Sequence, residues 1–138
     1  MKYIYICFMK NKHFYLSLLV CFISFISCRK NKDTIPPTIE LISPNENDTL
    51  TSSNSDYQIK FNAHDETELS KENISIKDMS GAILTTENRV LYGSDYYYSN
   101  SFLFKGTKGQ LKKLILSIQI EDNAKNITVK SIPFFVKL

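Results

Sequence analysis

Apolar residues in this chain recur at every second position, not every third or fourth. From Tyr57 to Ala63 the alternation is complete: Tyr57, Ile59, Phe61 and Ala63 fall on one face, and Gln58, Lys60, Asn62 and His64 on the other. That pattern predicts a strand with one buried face. Other short segments read the same way. Thr38 to Ile42 is a first strand, closed by Ser43-Pro44-Asn45, and Ile74 to Ile76 is a third, ended by Asp78-Met79-Ser80-Gly81. Ala82 to Thr86 is a fourth, with Arg89 to Tyr92 pairing beside it. Tyr96 to Phe104 places Tyr96, Tyr98, Phe102 and Phe104 on one face. Leu111 to Glu121 turns Leu114, Leu116, Ile118 and Ile120 inward. Ile127 to Val136 is the last, and Pro133 marks an edge or a bulge in it. No long stretch has a helical period. About seven short strands separated by turn residues predict an all-β, antiparallel β-sandwich.

The first 27 residues break this pattern. Residues 14–27 form a nearly unbroken apolar run behind Lys10, Lys12 and His13. A basic stretch before such a run is the pattern of a secretory signal peptide. The run is shorter than the roughly 20 residues a membrane-spanning helix takes. Met9-Lys10-Asn11-Lys12 makes a more ordinary start than Met1. The run ends in Phe25-Ile26-Ser27-Cys28, which resembles a bacterial lipobox, with Phe25 standing where leucine is usual. The resemblance implies cleavage before Cys28 and lipid attachment to its sulfur; Cys21, behind the bulky Val20, is the competing site. Mature lipoproteins of that kind carry three acyl chains, where one chain alone holds only weakly. After Cys28 come Arg29-Lys30-Asn31-Lys32-Asp33, with no Asp directly after the cysteine and no acidic run. By resemblance this implies an outer-membrane lipoprotein facing the periplasm. The expected organisation is a signal peptide over 1–27, a lipidated tether over 28–36 and a sandwich domain over 37–138.

A second resemblance concerns the domain. Pro36-Pro37-Thr38-Ile39-Glu40-Leu41-Ile42-Ser43-Pro44 is similar to the opening of many bacterial immunoglobulin-like domains, as is Ile59-Lys60-Phe61-Asn62-Ala63-His64-Asp65 followed by Leu69. Glu121-Asp122-Asn123-Ala124-Lys125-Asn126 resembles their Asp-Asn-x-Gly-Asn turn between the last two strands, with Ala124-Lys125 where glycine is usual. The whole resembles Bacteroidota lipoproteins with a single Ig-like domain. It implies an immunoglobulin-like sandwich and leaves the function open, because this fold hosts many functions.

Charge and cysteine content narrow the function classes. The 138 residues carry 17 basic and 14 acidic side chains, a formal net charge of +3. Lys2, Lys10 and Lys12 account for that excess, so the mature chain is neutral and offers no electrostatic footprint for nucleic acid. Cysteines occur only at 7, 21 and 28, which excludes a disulfide scaffold and a cysteine-based metal site in the domain. His13 leaves with the signal, so His64 alone remains, and zinc is not expected. There is no nucleophile elbow, and Gly81, Gly93, Gly106 and Gly109 form no phosphate loop. A non-enzyme is expected.

The remaining candidates are surface features. Tyr92 and Tyr97 are the aromatic rings expected outside the core, where they suit recognition of a protein or glycan. Asp33-Thr34-Ile35 and Asp48-Thr49-Leu50 are similar to the O-glycosylation sequon of Bacteroidota envelope proteins, with Thr34 and Thr49 as acceptors. The loop after the second strand carries Asp65, Glu66 and Glu68, and the last turn carries Asp122, Asn123 and Asn126. In a sandwich these loops share one end, where their oxygens suit calcium. Asp and Asn also close turns on their own backbone. Two functional classes follow: a membrane-anchored binding or adhesion module for a protein or glycan, or a structural accessory subunit of an outer-membrane complex.

Overall fold

The computed structural model describes residues 32–51 and 56–138. The signal segment, Met9, Cys21 and the lipobox ending at Cys28 lie outside the described residues. Eight strands follow in order: β1 Thr38–Ser43, β2 Thr49–Thr51, β3 Asp56–His64, β4 Leu69–Asp78, β5 Ile83–Val90, β6 Asp95–Leu103, β7 Leu111–Asp122 and β8 Ile127–Lys137. One sheet has the order β1-β3-β6 and the other β2-β8-β7-β4-β5. Pairing is antiparallel except between β2 and β8. The chain leaves the first sheet after Ser43, and β2 joins the second. With β3 and β6 in one layer and β4, β7 and β8 in the other, this is an immunoglobulin-like sandwich.

The core follows from the alternation. Tyr57, Ile59, Phe61, Ala63 and Tyr98 come from the first sheet. Ile74, Ile76, Leu114, Leu116, Ile118, Ile120, Phe134 and Val136 face them from the second. Each of the Ile, Leu, Val and Phe side chains contributes roughly 1.5–3 kcal/mol on leaving water. Phe61 stacks on Tyr98 with ring centroids 4.9 Å apart, and the Tyr57 hydroxyl donates to the Lys137 carbonyl at 2.7 Å. Asp33–Leu138 form one compact unit that contains the whole described core.

Two expectations are corrected, and a third is decided between its two alternatives. Ala82–Thr86 and Arg89–Tyr92 are not a pair: Ile83–Val90 is one strand, and its partner is β4. The third strand runs over Leu69–Asp78, well beyond Ile74–Ile76. Pro133 forms no bulge, since β7 and β8 pair without a register shift around it. It lies before the stretch of β8 that β2 covers, on an edge where no ladder needs its missing N–H. The short β2 adds an eighth strand.

The flank between β5 and β6 is closed by polar groups. Glu72, Glu87 and Arg89 turn inward from β4 and β5, toward Tyr96 and Tyr98 of β6. The Tyr98 hydroxyl donates to Glu87 Oε2 at 2.5 Å, and Arg89 Nη1 donates to the Tyr96 hydroxyl at 3.3 Å. Arg89 pairs with Glu87 and lies 5.1 Å over the Tyr98 ring. Glu72 is 1% exposed, and neither of its carboxylate oxygens has a hydrogen-bond partner.

Candidate functional site

β3 and β7 end at the same pole of the sandwich, so the β3–β4 and β7–β8 loops meet there. The Asn123 amide N–H donates to the Glu68 carbonyl at 2.9 Å, and Asn123 Nδ2 to Glu68 Oε2 at 2.5 Å. Asp65 and Asp122 point into this junction and are 3% and 0% exposed. A third carboxylate arrives from the stretch before β1: Asp33, Asp65 and Asp122 each bring an oxygen within 4.8 Å of the others. Asp33 had no place in the sequence-based set. It reaches the junction because Asn126 Nδ2, with one proton on Asp122 Oδ2, shares the other between the carbonyls of Asp33 and Ile35, each at 3.3 Å.

Neutral donors surround the three acids. Asp65 Oδ1 accepts from the Thr67 and Glu68 amides at 2.9 and 3.1 Å. Asp122 Oδ1 accepts from the Asn126 amide at 2.8 Å, and Oδ2 from Asn126 Nδ2 at 2.7 Å. The Ile35 amide and then the Thr67 hydroxyl hold the Asp33 carboxyl below its usual range. Thr67 Oγ1 lies 2.6 Å from Asp65 Oδ1 and 2.9 Å from Asp33 Oδ2, yet its single proton can serve only one of them. Among the described residues no lysine, arginine or histidine forms an ion pair with these three acids. Of the other residues expected to ligate, Glu68 is engaged by Asn123, and Glu66 is exposed and outside the group.

A second feature occupies the outer face of the five-stranded sheet. Because Glu72, Ile74, Ile118 and Ile120 face inward, Asn73, Ser75, Ser117 and Gln119 face outward. The register then aligns two ranks of uncharged polar groups. Gln119, Asn73 and Asn88 form one, with Asn73 Nδ2 donating to Asn88 Oδ1 at 2.6 Å. Ser131, Ser117, Ser75 and Thr86 form the other. Beside the amide rank is a hollow of about 570 Å³ lined by Asn73, Asn88, Gln119 and Val90 together with the charged Lys71, Glu72, Arg89 and Glu121. Glu121 is held below its usual range by Lys125 and, less strongly, by Lys71. Nothing in the composition signalled these ranks; they appear only once the strands are aligned.

Tyr92 and Tyr97 are both exposed, but on different parts of the surface. Tyr92 is 80% exposed in the β5–β6 turn. Tyr97 is on the outer face of the three-stranded sheet opposite Asn62, whose amide donates to Glu40 at 3.0 Å. His64 pairs with Asp95 at 2.8 Å on that same face. Thr34 and Thr49 are exposed. Their preceding acids do local turn work: Asp33 Oδ1 accepts from the Ile35 amide, and Asp48 Oδ2 from the Asn45 amide.

No protein-family model and no curated protein matches the sequence. Solved structures similar to it include CopC from Methylosinus trichosporium OB3b, at 14% identity and a TM-score of 0.46, covering 72% of this chain and 94% of that one. Another is OgpA from Akkermansia muciniphila, at 13% identity and a TM-score of 0.49, covering 74% of this chain and 29% of that one. The catalytically inactive form of OgpA with an O-glycopeptide, glycodrosocin, aligns at 13% identity and a TM-score of 0.47, over 79% and 31% of the two chains. This chain therefore spans less than a third of OgpA. At these identities and scores the likenesses carry nothing about function.

Proposed function

We propose that this chain is a non-catalytic envelope lipoprotein, held by lipid on Cys28 at the periplasmic face of the outer membrane, whose sandwich binds a glycan. The observation that carries the binding role is the hollow on this sheet face, lined by three side-chain amides and by charged groups, beside two ranks of hydroxyl and amide groups. Such groups both donate and accept, as sugar hydroxyls do, and strand spacing sets them roughly 4.8 Å apart. The hollow is within the size range of small-ligand sites. A glycan microarray probed with the domain from Asp33 onward tests this. Binding that is lost in Asn73→Ala/Asn88→Ala supports the reading. Absence of binding on every glycan, with crosslinking to one outer-membrane protein, would instead support the accessory-subunit reading.

We also assign calcium to the Asp33, Asp65 and Asp122 group. Three carboxylates this close repel one another unless protons or a cation intervene. The surrounding donors are neutral, and one hydroxyl proton is contested. Calcium takes six to eight oxygens, and the carbonyls of Asp33 and Ile35 lie at the same junction as the three acids. Binding would pin the tether to the domain. Millimolar calcium should raise the melting temperature of the domain over that in EDTA, and Asp122→Asn should abolish the rise. Identical melting curves in the two buffers would refute the assignment. O-glycosylation at Thr34 and Thr49 belongs to the same envelope reading, and intact mass of the native protein tests it.

A further inference from the structure

β7 begins at the pole opposite the Asp group, and its 12 residues separate the two by roughly 40 Å. At this far pole the open flank between β5 and β6 changes from polar to apolar. Leu84, Leu103, Phe104 and Leu114 line a slot of about 320 Å³, with Thr85, Lys105 and Lys112 completing its lining. Leu103 is 73% exposed, although it ends a strand whose other face packs in the core. Ile83 and Leu111 are also exposed beside it. The connecting segment 103–113 holds Lys105, Lys108, Lys112 and Lys113 and no acidic residue. Among the described residues none of these four lysines forms an ion pair. Lys112 Nζ instead donates to the Lys105 carbonyl at 3.0 Å, which holds its charge at the slot mouth.

An apolar slot that opens between unpaired ammonium groups is complementary to one chemistry: a hydrocarbon chain with an anionic head. We propose that this pole binds anionic phospholipid in a bilayer, with an acyl chain entering between Leu84 and Leu103 and the phosphate meeting Lys105 and Lys112. A neutral lipid would leave the lysines without partners. A hydrophilic anion would leave the leucines in water. The inference rests on the charge and shape of this pole and is independent of the glycan-binding reading.

Sedimentation of the domain from Asp33 onward with vesicles tests it, since that stretch contains the whole described core and lacks the apolar N-terminal run. The domain should pellet with phosphatidylglycerol vesicles and stay in solution with phosphatidylcholine vesicles. Lys105→Gln/Lys112→Gln should weaken binding roughly 25-fold, about five-fold per lysine. Leu103→Ser should weaken it without changing its salt dependence. Leu103 and Lys105 are exposed and Lys112 is half-buried, and circular dichroism melts that match wild type would show that the variants keep the fold. No pelleting with phosphatidylglycerol would overturn the proposal. So would binding that Leu103→Ser leaves unchanged and that inorganic phosphate displaces, because the site would then be an anion site without an acyl slot.

Discussion

Glu72→Gln isolates the one buried carboxylate that lacks hydrogen bonds among the described residues. Glu72 is sealed between the sheets, its nearest cation is Arg89 Nε at 3.9 Å, and that guanidinium is already committed to Glu87. Burial raises the Glu72 carboxyl above its usual 4.5, outweighing the nearby Tyr96 hydroxyl and Arg89. The folded state therefore holds this proton more tightly than the unfolded chain does. Its stabilising effect is complete below the unfolded value of 4.5 and is lost as pH rises through the folded value. Burial raises the Glu87 carboxyl too, but its bonds from Tyr98 and Arg89 prevail and hold it low, so its contribution runs the other way and is lost in acid. The variant-minus-wild-type difference removes these shared terms. A buried polar group without a partner costs about 1–3 kcal/mol, and more when charged. Glu72→Gln should therefore stabilise the domain by about 1–3 kcal/mol at pH 8 and change little at pH 4. Urea denaturation of both proteins from pH 4 to pH 9 measures the difference. A difference that stays constant with pH, or a variant less stable than wild type at pH 8, would show that Glu72 carries no unsatisfied buried charge.

Other outcomes follow from the packing and the turns. Phe61→Ala and Ile118→Ala each empty a fully buried site and should cost about 3–5 and 2–5 kcal/mol, read from denaturation midpoints. Lys125 adopts a φ of 75°, the glycine position of the resembled turn. Lys125→Gly should raise stability by about 0.5–1 kcal/mol, net of its surface pair with Glu121, as a small rise in melting temperature. The Tyr96 hydroxyl is pushed up to about 12 by burial, then by the Glu72 charge, so ultraviolet titration of wild type against Tyr96→Phe should show its ionisation well above the ordinary value of 10.

What could be read from the sequence depended on which faces are buried. β3 and β7 alternate apolar and polar residues because one face of each meets the core, and their inward sets are as expected. β5 could not be read as one strand because its inward positions are Glu87 and Arg89, which pack into a polar network rather than oil. β2 is three residues with one half-buried side chain, too short to show a period. Glu72 sits in the polar triplet Lys71-Glu72-Asn73, yet extending the phase of Ile74 and Ile76 backward puts it inside. The junction of the β3–β4 and β7–β8 loops follows from the topology of a sandwich, so Asp65 and Asp122 were legible. Asp33 was not, because only the folded chain brings the stretch before β1 across that pole.

The claim that this domain works tethered at the envelope stands or falls on Cys28. Intact-mass and peptide analysis of the protein from the membrane fraction reads that position directly. The expected mature chain begins at Cys28, with the mass of a diacylglycerol and a third acyl chain on that residue, and the Cys28→Ala variant keeps residues 1–27. A mature chain beginning at Cys21, or a Cys28→Ala protein processed and partitioned like wild type, would contradict it.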